Sequence, residues 1–253
     1  MRILLLGGTT EATGLVRRLA EHPSFRPTLS LAGRTAAPVA APFDTRIGGF
    51  GGPEGLARWL EAEGVAAVVD ATHPFAQRIS HNAAQACARL KLPLVALRRP
   101  AWTPQAGDRW HEVESVAAAV PALGVAPRRV FLTVGRLELA AFAAAPQHAY
   151  LVRTIEPVGE ALPVPDLVAI AARGPFSEAD ELALMRDHRI EVLVTKNSGG
   201  SATYGKIAAA RALALPVVIV RQPAPPAVEQ VGTLEAALAW LEAHRAASTR
   251  RGV

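Results

Sequence analysis

With 253 residues, 50% of them hydrophobic, the chain can bury one large core or two of roughly 100 to 150 residues each, which excludes a disordered protein. The single cysteine, Cys87, excludes an internal disulfide, and no Cys/His cluster has the spacing of a zinc site, so we expect a cytoplasmic protein without a structural metal. No apolar run approaches the roughly 20 residues of a membrane span, so we expect no membrane role. Of the net charge of +5, three charges lie in the arginines of the last nine residues, RAASTRRGV, and the remaining arginines are dispersed. Only 5% of residues are aromatic, so the composition argues against a nucleic-acid partner and favours small anionic ligands.

Short apolar runs alternate along the chain with longer, alanine-rich amphipathic segments. Continuously apolar strands separated by helix-length segments are typical of a parallel sheet covered on both faces, so we predict an α/β protein. In chain order the predicted strands are RILLLG (2–7), TLSLAG (28–33), VAAVVDA (65–71), PLVALR (93–98), RVFLTVG (129–135), DLVAIAA (166–172), EVLVTK (191–196) and PVVIVR (216–221).

Two stretches of the chain repeat one another. The segment LKLPLVALRRPAW (90–102) parallels LALPVVIVRQPAP (213–225), and each is followed by a stretch rich in Val and Glu and then by an alanine-rich helix. Two similar βα halves predict two domains, residues 1–123 and 124–253, with a cleft between them. In doubly wound sheets ligands bind beyond the carboxyl ends of the strands, so the residues just after each strand are the functional candidates.

The first such place is GGTTEATG (7–14), between the opening strand and a predicted helix. Gly7 and Gly8 let the backbone pass close to a ligand, while Thr9, Thr10 and the helix N-terminus offer hydroxyl and N–H groups to a phosphate. The segment is not G-x-G-x-x-G, and a tight turn without a ligand is the alternative interpretation.

Arg34 follows the second predicted strand, in LAGRT. Dinucleotide sites for NAD place an acidic residue roughly 20 residues beyond the glycine loop, whereas sites for NADP place an arginine nearby. Here no acid occurs until Asp44, so Arg34 predicts recognition of a 2′-phosphate and hence NADP rather than NAD. An ordinary surface arginine is the alternative.

The third strand runs into DATHPFA (70–76). Pro74 suits the start of the following helix, which would place His73 where the chain turns at the end of the sheet. A histidine there can donate a proton or a hydrogen bond near neutral pH. The alternative is a capping loop in which Thr72 or His73 satisfies backbone groups.

A second segment rich in donors and glycine is TKNSGG (195–200). It contains Lys196, and a helix predicted to begin near Ser201 carries Lys206, so two of only three lysines in the chain lie together. A lysine is a compact charge that binds oxyanions, and a glycine loop before a helix adds backbone N–H groups. The segment lacks the Walker A pattern, and it predicts a second anion-binding loop, with a solvated turn as the alternative.

Six motifs are distributed over most of the chain: GGTTE (7–11), GGFGG (48–52), DATHPFA with Ser80 and Asn82, RRPAW (98–102), ARGPF (172–176) and TKNSGG. Together they resemble the precorrin-6A reductase family of cobalamin biosynthesis, and the resemblance extends from residue 1 to about 245. It implies two Rossmann-like domains that hold NADPH in the cleft between them. It also implies hydride transfer to a ring-contracted tetrapyrrole with many carboxylates, precorrin-6A or its cobalt form.

The resemblance also implies roles for individual residues. Cofactor contacts are implied for Gly7, Gly8, Thr9, Thr10, Glu11, Arg34, Thr72, Gly135 and Arg136. Substrate contacts are implied for Arg173, Gly174, Lys196, Asn197, Ser198, Gly199, Gly200, Tyr204 and Lys206. His73 is the candidate proton donor, with water as the alternative, and Lys196 is a candidate catalytic cation that stabilises developing charge. Other enzymes of the cobalamin pathway are candidate partners.

Two other functional classes use similar features. A non-catalytic nucleotide-sensing module would keep the glycine loop and Arg34, but it would not need a second anion-binding loop. A sugar-nucleotide transferase would use the same two-domain cleft, and the family resemblance alone argues against it.

Overall fold

The computed structural model describes residues 1–33 and 41–250, with side chains described through residue 246, so the candidate Arg34 lies outside the described residues. The chain forms two compact units. One unit comprises residues 1–100 together with the chain from Pro223 onward, and the other comprises Ala101–Gln222. Each unit contains a six-stranded sheet in which every strand pair is parallel, which confirms the predicted α/β class.

Helices and strands alternate through most of the chain. In chain order the described elements are β1 (Arg2–Leu6), α1 (Thr10–Ala20), β2 (Arg26–Leu31), β3 (Thr45–Ile47), α2 (Gly52–Ala62), β4 (Ala67–Asp70), α3 (Gln77–Leu90), β5 (Leu94–Leu97), β6 (Arg109–Val113), α4 (Val116–Ala122), β7 (Arg129–Thr133), the 3-10 helix Arg136–Ala144, β8 (Ala149–Thr154), the 3-10 helix Gly159–Ala161, β9 (Leu167–Ala171), α5 (Glu178–Asp187), β10 (Val192–Lys196), α6 (Gly205–Ala212), β11 (Pro216–Val220), β12 (Glu229–Val231) and α7 (Leu234–Arg250).

All eight predicted strands are confirmed. The described residues contain four further strands, β3, β6, β8 and β12, which were not predicted because they lack a long apolar run. β3 and β12 have three residues each, and β6 is a largely polar edge strand, RWHEV. β8 is buried, but its apolar stretch is short and ends at Arg153. That arginine is buried because it pairs with Glu181, a partner that the local pattern does not show.

The two sheets have the same topology with one strand exchanged. The first has the order β12-β5-β4-β1-β2-β3 and the second β6-β11-β10-β7-β8-β9, so β1 corresponds to β7 and β5 to β11. β6 follows β5 along the chain but pairs with β11, whereas β12 follows β11 but pairs with β5. Helices α4 and α7 accompany these strands, with α4 against β11 and α7 against β5.

This exchange explains a difference from the predicted domains. The sequence repeat suggested a division after residue 123, because β6 and α4 belong to the first repeat. In the structure the contacts divide the chain after residues 100 and 222 instead. The pair β6–α4 ends the first repeat but packs on the second sheet, and the pair β12–α7 ends the second repeat but packs on the first sheet. The boundaries of the repeats therefore differ from the boundaries of the units.

Apolar side chains cover both faces of the first sheet. Along β1, Ile3 and Leu5 pack in the cluster with α1 and α7, while Leu4 and Leu6 pack in the cluster with α2 and α3. All four are at most 1% exposed, and each fully buried leucine or isoleucine contributes about 1.5–3 kcal/mol relative to an exposed one. This two-sided burial explains why the run RILLL is continuously apolar instead of alternating.

Parallel pairing brings the loops after neighbouring strands to one edge of each sheet. In the first unit these are the loops after β1, β4 and β5, which are adjacent in the strand order. In the second unit they are the loops after β7, β8, β9 and β10. Over residues 1–33 and 41–250, no helix combines the length and apolarity that crossing a bilayer requires.

Candidate functional site

The loop after β1 has two glycines with different structural roles. A Cβ on Gly7 would lie 2.7 Å from Cδ1 of Leu29 on β2, so a side chain at position 7 would force the Leu29 side chain to shift. Gly8 has φ of 116°, which only glycine adopts readily, and a Cβ there would meet no atom within 4 Å. The backbone at Gly8 is therefore accessible to a ligand at the N-terminus of α1.

Thr9 caps α1 and ties it to the sheet. Its Oγ1 accepts a hydrogen bond from the Ala12 N–H at 3.1 Å and donates one to the Ala71 carbonyl at 2.8 Å, just beyond β4. The following Thr10 is in the first helical turn, where Oγ1 lies 3.3 Å from Oε2 of Glu11. Because the first-turn N–H groups of a helix lack intrahelical acceptors, this end of α1 can bind an anion.

Glu11 forms an ion pair that the sequence did not reveal. Nη1 of Arg99 lies 3.2 Å and 3.0 Å from its two carboxylate oxygens, and both side chains are largely buried. A carboxylate in the first turn stabilises the helix by interacting with the positive end of the helix dipole, and Arg99 neutralises its negative charge. The pair places a guanidinium beside the glycine loop. The signal for it was the double arginine of RRPAW directly after β5.

Beneath this pair, Asp70 and Arg98 form a buried ion pair at the carboxyl ends of β4 and β5. Oδ1 of Asp70 accepts bonds from the N–H and hydroxyl of Thr72 at 3.1 Å and 2.6 Å. Arg98 also donates to the carbonyls of Asp70 and Thr72, at 2.9 Å and 3.0 Å, and to Oγ of Ser80 at 2.8 Å. These contacts fix the Thr72 backbone, and sequence reasoning assigned neither member of the ion pair.

His73 lies half-buried in the turn that this network holds. Its Nδ1 accepts a bond from the Phe75 N–H at 3.3 Å, so in the neutral ring the proton is on Nε2. The prediction that Pro74 begins the helix is wrong, because α3 begins at Gln77. Instead Pro74 follows His73 in a β-turn closed by the Ala76 N–H to His73 carbonyl bond of 2.7 Å.

These side chains surround one depression in the first unit. It brings together three residues predicted to contact the cofactor, Thr9, Glu11 and Thr72, with the unpredicted Arg98 and Arg99. The remaining lining residues are Pro74 and Leu97.

In the second unit, Lys196 ends β10 and forms an ion pair with Glu138. Oε2 of Glu138 also accepts a bond from the Gly135 N–H at 3.1 Å, which links the loop after β7 to the end of β10. A Cβ on Gly135 would lie 2.9 Å from that oxygen, so a side chain there would displace the Glu138 carboxylate. The structure therefore places Gly135 beside Lys196, and Glu138 was missed because it lies far from Lys196 in the sequence.

The TKNSGG segment is held by hydrogen bonds that Trp102 makes. Oδ1 of Asn197 accepts from the Trp102 N–H at 2.8 Å, and its Nδ2 donates to the Trp102 carbonyl at 2.9 Å. Oγ of Ser198 lies 3.4 Å from the Thr203 hydroxyl. Gly199 and Gly200 have φ of 66° and 69°, in the left-handed region that favours glycine over other residues.

Lys206 lies within the second unit with only 4% of its surface exposed. Nζ donates to the Thr203 carbonyl at 2.9 Å and lies 5.2 Å from the Trp102 ring centroid. The preceding Tyr204 accepts a bond from Arg211 at 2.7 Å. The helix does not begin near Ser201 as predicted, because residues 201–204 form a turn and α6 begins at Gly205.

The remaining candidates lie in the second unit, Arg136 at the start of a 3-10 helix and Arg173 and Gly174 on a loop. Arg173 and Arg136 are exposed, and Nε of Arg136 donates to the Val158 carbonyl at 3.3 Å. A Cβ on Gly174 would lie 3.2 Å from the ring of Phe176, whose N–H donates to the Ala202 carbonyl at 3.2 Å. The ARGPF segment is therefore joined directly to the chain that follows TKNSGG.

Comparisons with known proteins show which family the chain resembles. Residues 2–242 match the family model described as precorrin-6x reductase CbiJ/CobK. The chain is 57% identical over 237 residues to a precorrin-6A reductase of a Sinorhizobium species, with 94% of this chain and 91% of the relative covered. It is 51% identical to the precorrin-6A reductase of Rhodobacter capsulatus over 100% and 99% of the two chains.

More distant relatives and a solved structure extend the comparison. A cobalt-precorrin-6A reductase of Salmonella typhimurium is 29% identical, with 88% of each chain covered. The solved structure of a CobK precorrin-6A reductase is 50% identical, covers 96% of this chain and 97% of that chain, and has a TM-score of 0.92. The resemblance inferred from the motifs is confirmed, as is the oxidoreductase class. The chain belongs to the precorrin-6x reductase family, the reductases of cobalamin biosynthesis that act on precorrin-6A.

Proposed function

We propose that the protein reduces precorrin-6A, or its cobalt form, to precorrin-6B with NADPH as the hydride donor. The observation that carries the cofactor assignment is the junction of β1, Gly8 and α1, where an open glycine backbone adjoins the N-terminus of a capped helix. The relatives supply the substrate class, since they are named precorrin-6A and cobalt-precorrin-6A reductases.

The first unit has the features that a dinucleotide pyrophosphate requires. Gly8 leaves space above the loop, the first turn of α1 offers N–H groups, and Arg99 adds a guanidinium beside them. The nicotinamide would supply the hydride. We propose that Arg34 binds the 2′-phosphate, which makes the protein selective for NADPH over NADH.

The second unit supplies cations for the carboxylates of the tetrapyrrole. Lys196 lies at the carboxyl end of the sheet, Arg136 is exposed at the start of the 3-10 helix after β7, and Arg173 is exposed on the loop after β9. We propose that these groups, with the backbone of Ser198–Gly200 and Gly174, orient the macrocycle and stabilise charge. Asn197, Tyr204 and Lys206 then act chiefly through the loop, because their side chains bond to protein groups.

His73 is the proposed proton donor to the macrocycle. With Nδ1 accepting from the Phe75 N–H, Nε2 is the ring atom that carries the transferable proton. The His73→Gln variant tests the role through the pH dependence of turnover over roughly pH 6 to 8. An unchanged profile and rate would assign the proton to water.

The cofactor proposal is tested by the Arg34→Ala variant. The dissociation constant for NADPH should rise at least about tenfold while that for NADH changes little, because only NADPH carries the 2′-phosphate. Arg17→Ala, at an exposed position on α1, is the control for loss of one positive charge in this unit. Equal weakening of both cofactors would refute the assignment.

Turnover itself tests the reaction and the substrate loop. Mixing the protein with NADPH and precorrin-6A should consume both, whereas tight binding of NADPH without turnover would indicate a sensing module. Lys196→Ala should lower kcat/KM for the tetrapyrrole about 10- to 150-fold through loss of a charge-assisted contact. Arg186→Ala, at an exposed position on α5, should leave kcat/KM unchanged. A large fall in melting temperature with normal kinetics for Lys196→Ala would make Lys196 structural.

A further inference from the structure

Trp102 contacts the TKNSGG segment at two separate points. At the first, the reciprocal pair of hydrogen bonds joins the Trp102 backbone to both polar atoms of the Asn197 amide. At the second, the indole Nε1 donates to the Gly200 carbonyl at 2.7 Å. The two ends of the bend are therefore bonded to one residue, which is itself only 9% exposed.

The indole ring also contacts the chain that follows the bend. Nζ of Lys206 lies 5.2 Å from the ring centroid, within the range of a cation–π contact. The ring of Tyr204 meets it edge to face, with centroids 5.8 Å apart. One side chain thus supports the loop, the turn after it and the start of α6.

We propose that Trp102 is a positioning residue for the tetrapyrrole site: it fixes the Asn197–Gly200 backbone, and thereby the direction in which Lys196 and the N–H groups of the loop meet the substrate carboxylates. The inference rests on the proposed function of this loop. Asparagine is required opposite Trp102 because only an amide side chain of this length both accepts from its N–H and donates to its carbonyl. Tryptophan is required because the phenyl ring of phenylalanine has no N–H to reach Gly200.

Burial alone does not explain this bonding pattern. Trp110, on β6 of the same unit, also has a buried indole Nε1, and among the described residues that atom has no hydrogen-bond partner. The Nε1 bond of Trp102 is thus a specific contact with the loop. Trp110 also provides a matched control, because Trp110→Phe removes the same atoms from the same unit without removing a bond to the loop.

The test compares Trp102→Phe with Trp110→Phe. In the free protein, Trp102→Phe should speed amide hydrogen exchange of residues 197–204 about 3- to 10-fold, since one buried hydrogen bond is lost. The KM for precorrin-6A should rise by a similar factor while kcat at saturating substrate stays within about twofold. The NADPH dissociation constant should not change. Trp110→Phe should change neither loop exchange nor KM.

Unchanged exchange of residues 197–204 in Trp102→Phe would overturn the proposal. Lys196→Ala separates it from the function proposed for the loop. If Lys196→Ala lowers kcat/KM and Trp102→Phe does not raise KM, the positioning role fails and the loop function stands. If Lys196→Ala leaves kcat/KM unchanged and Trp102→Phe leaves KM unchanged, both fail.

Should Trp102→Phe not fold, Asn197→Ala removes the reciprocal bonds from the loop side. The proposal predicts faster exchange of residues 198–204 in that variant, by the same factor or more. Exchange at the wild-type rate would overturn it.

Discussion

Replacing Thr9 by valine keeps the branched shape of the side chain and removes two hydrogen bonds. The first is the cap to the Ala12 N–H, and the second is the bond to the Ala71 carbonyl. Loss of a threonine cap costs about 1 kcal/mol, and a partly buried carbonyl left without its donor costs about 1 kcal/mol more. We therefore expect the free energy of unfolding of the first unit to fall by about 2 kcal/mol.

Hydrogen exchange of α1 measures this effect locally, which matters because a chain with two units need not unfold in one transition. A loss of about 2 kcal/mol corresponds to roughly 30-fold faster exchange where opening requires the helix to detach. Thr10→Val is the control, because the Thr10 hydroxyl makes only a long, exposed contact with Glu11. Its effect should stay within about 0.5 kcal/mol.

The Thr9→Val variant also shows whether Thr9 only caps α1 or binds the cofactor directly. The Thr9 hydroxyl already donates its proton to Ala71, and a phosphate oxygen cannot donate to the lone pair that remains. NADPH binding should therefore weaken only as far as α1 frays. An unchanged unfolding free energy combined with a more than tenfold rise in the NADPH dissociation constant would refute this reasoning, because it would make Thr9 a direct ligand.

Three further changes test other parts of the structure. Gly205→Ala should destabilise the second unit by about 1–3 kcal/mol in chemical denaturation, because the new Cβ would lie 2.6 Å from the Phe176 carbonyl oxygen. Gly49→Ala is the control and should have little effect, because a Cβ at that position would meet no atom within 4 Å. Arg98→Met should cost about 3–5 kcal/mol by leaving the Asp70 carboxylate buried without its cation, and adding Asp70→Asn should recover part of that loss. Burial raises the pKa of the Cys87 thiol from the ordinary value of 9.0 to about 12. Between these two pH values the unfolded state binds fewer protons than the folded state, so the free energy of unfolding should fall as the pH rises from about 9 to 12. Denaturation midpoints of wild type and Cys87→Ala measure this slope, and an equal slope in both would contradict it.

The pattern of apolar runs predicted the fold class because it reports burial, and burial is what a parallel sheet imposes on its strands. It did not predict which strands pair. β6 and β12 carry similar Val- and Glu-rich sequences, and nothing local distinguishes pairing with the preceding strand from pairing with the equivalent strand of the other repeat. Their exchange depends on contacts between residues more than a hundred positions apart.

In the candidate site, too, the sequence predicted where single residues lie but not which residues contact them. Sequence placed Thr72 and Lys196 at the carboxyl ends of the strands, because a motif after an apolar run lies there in any parallel sheet. The groups that hold them, Arg98 and Glu138, were not predicted, since each lies 26 or more residues away along the chain. A polar residue can be identified locally, but the partner that fixes its direction cannot.

Lys196 and Lys206 show why that distinction matters for function. Both are lysines in one short segment and were predicted to bind the same substrate. Lys206 is 4% exposed and donates to the Thr203 carbonyl beside the Trp102 ring, so its charge contributes to the shape of the loop. Lys196 lies at the end of β10 with Glu138, whose side chain is about one-third exposed. A substrate carboxylate can compete with Glu138 for that ammonium without moving the backbone, whereas recruiting Lys206 would require the turn at residues 201–204 to open. The two lysines therefore occupy different places in one loop: Lys206 lies inside it and holds its bend, whereas Lys196 lies at the end of β10, where we propose that it binds a substrate carboxylate.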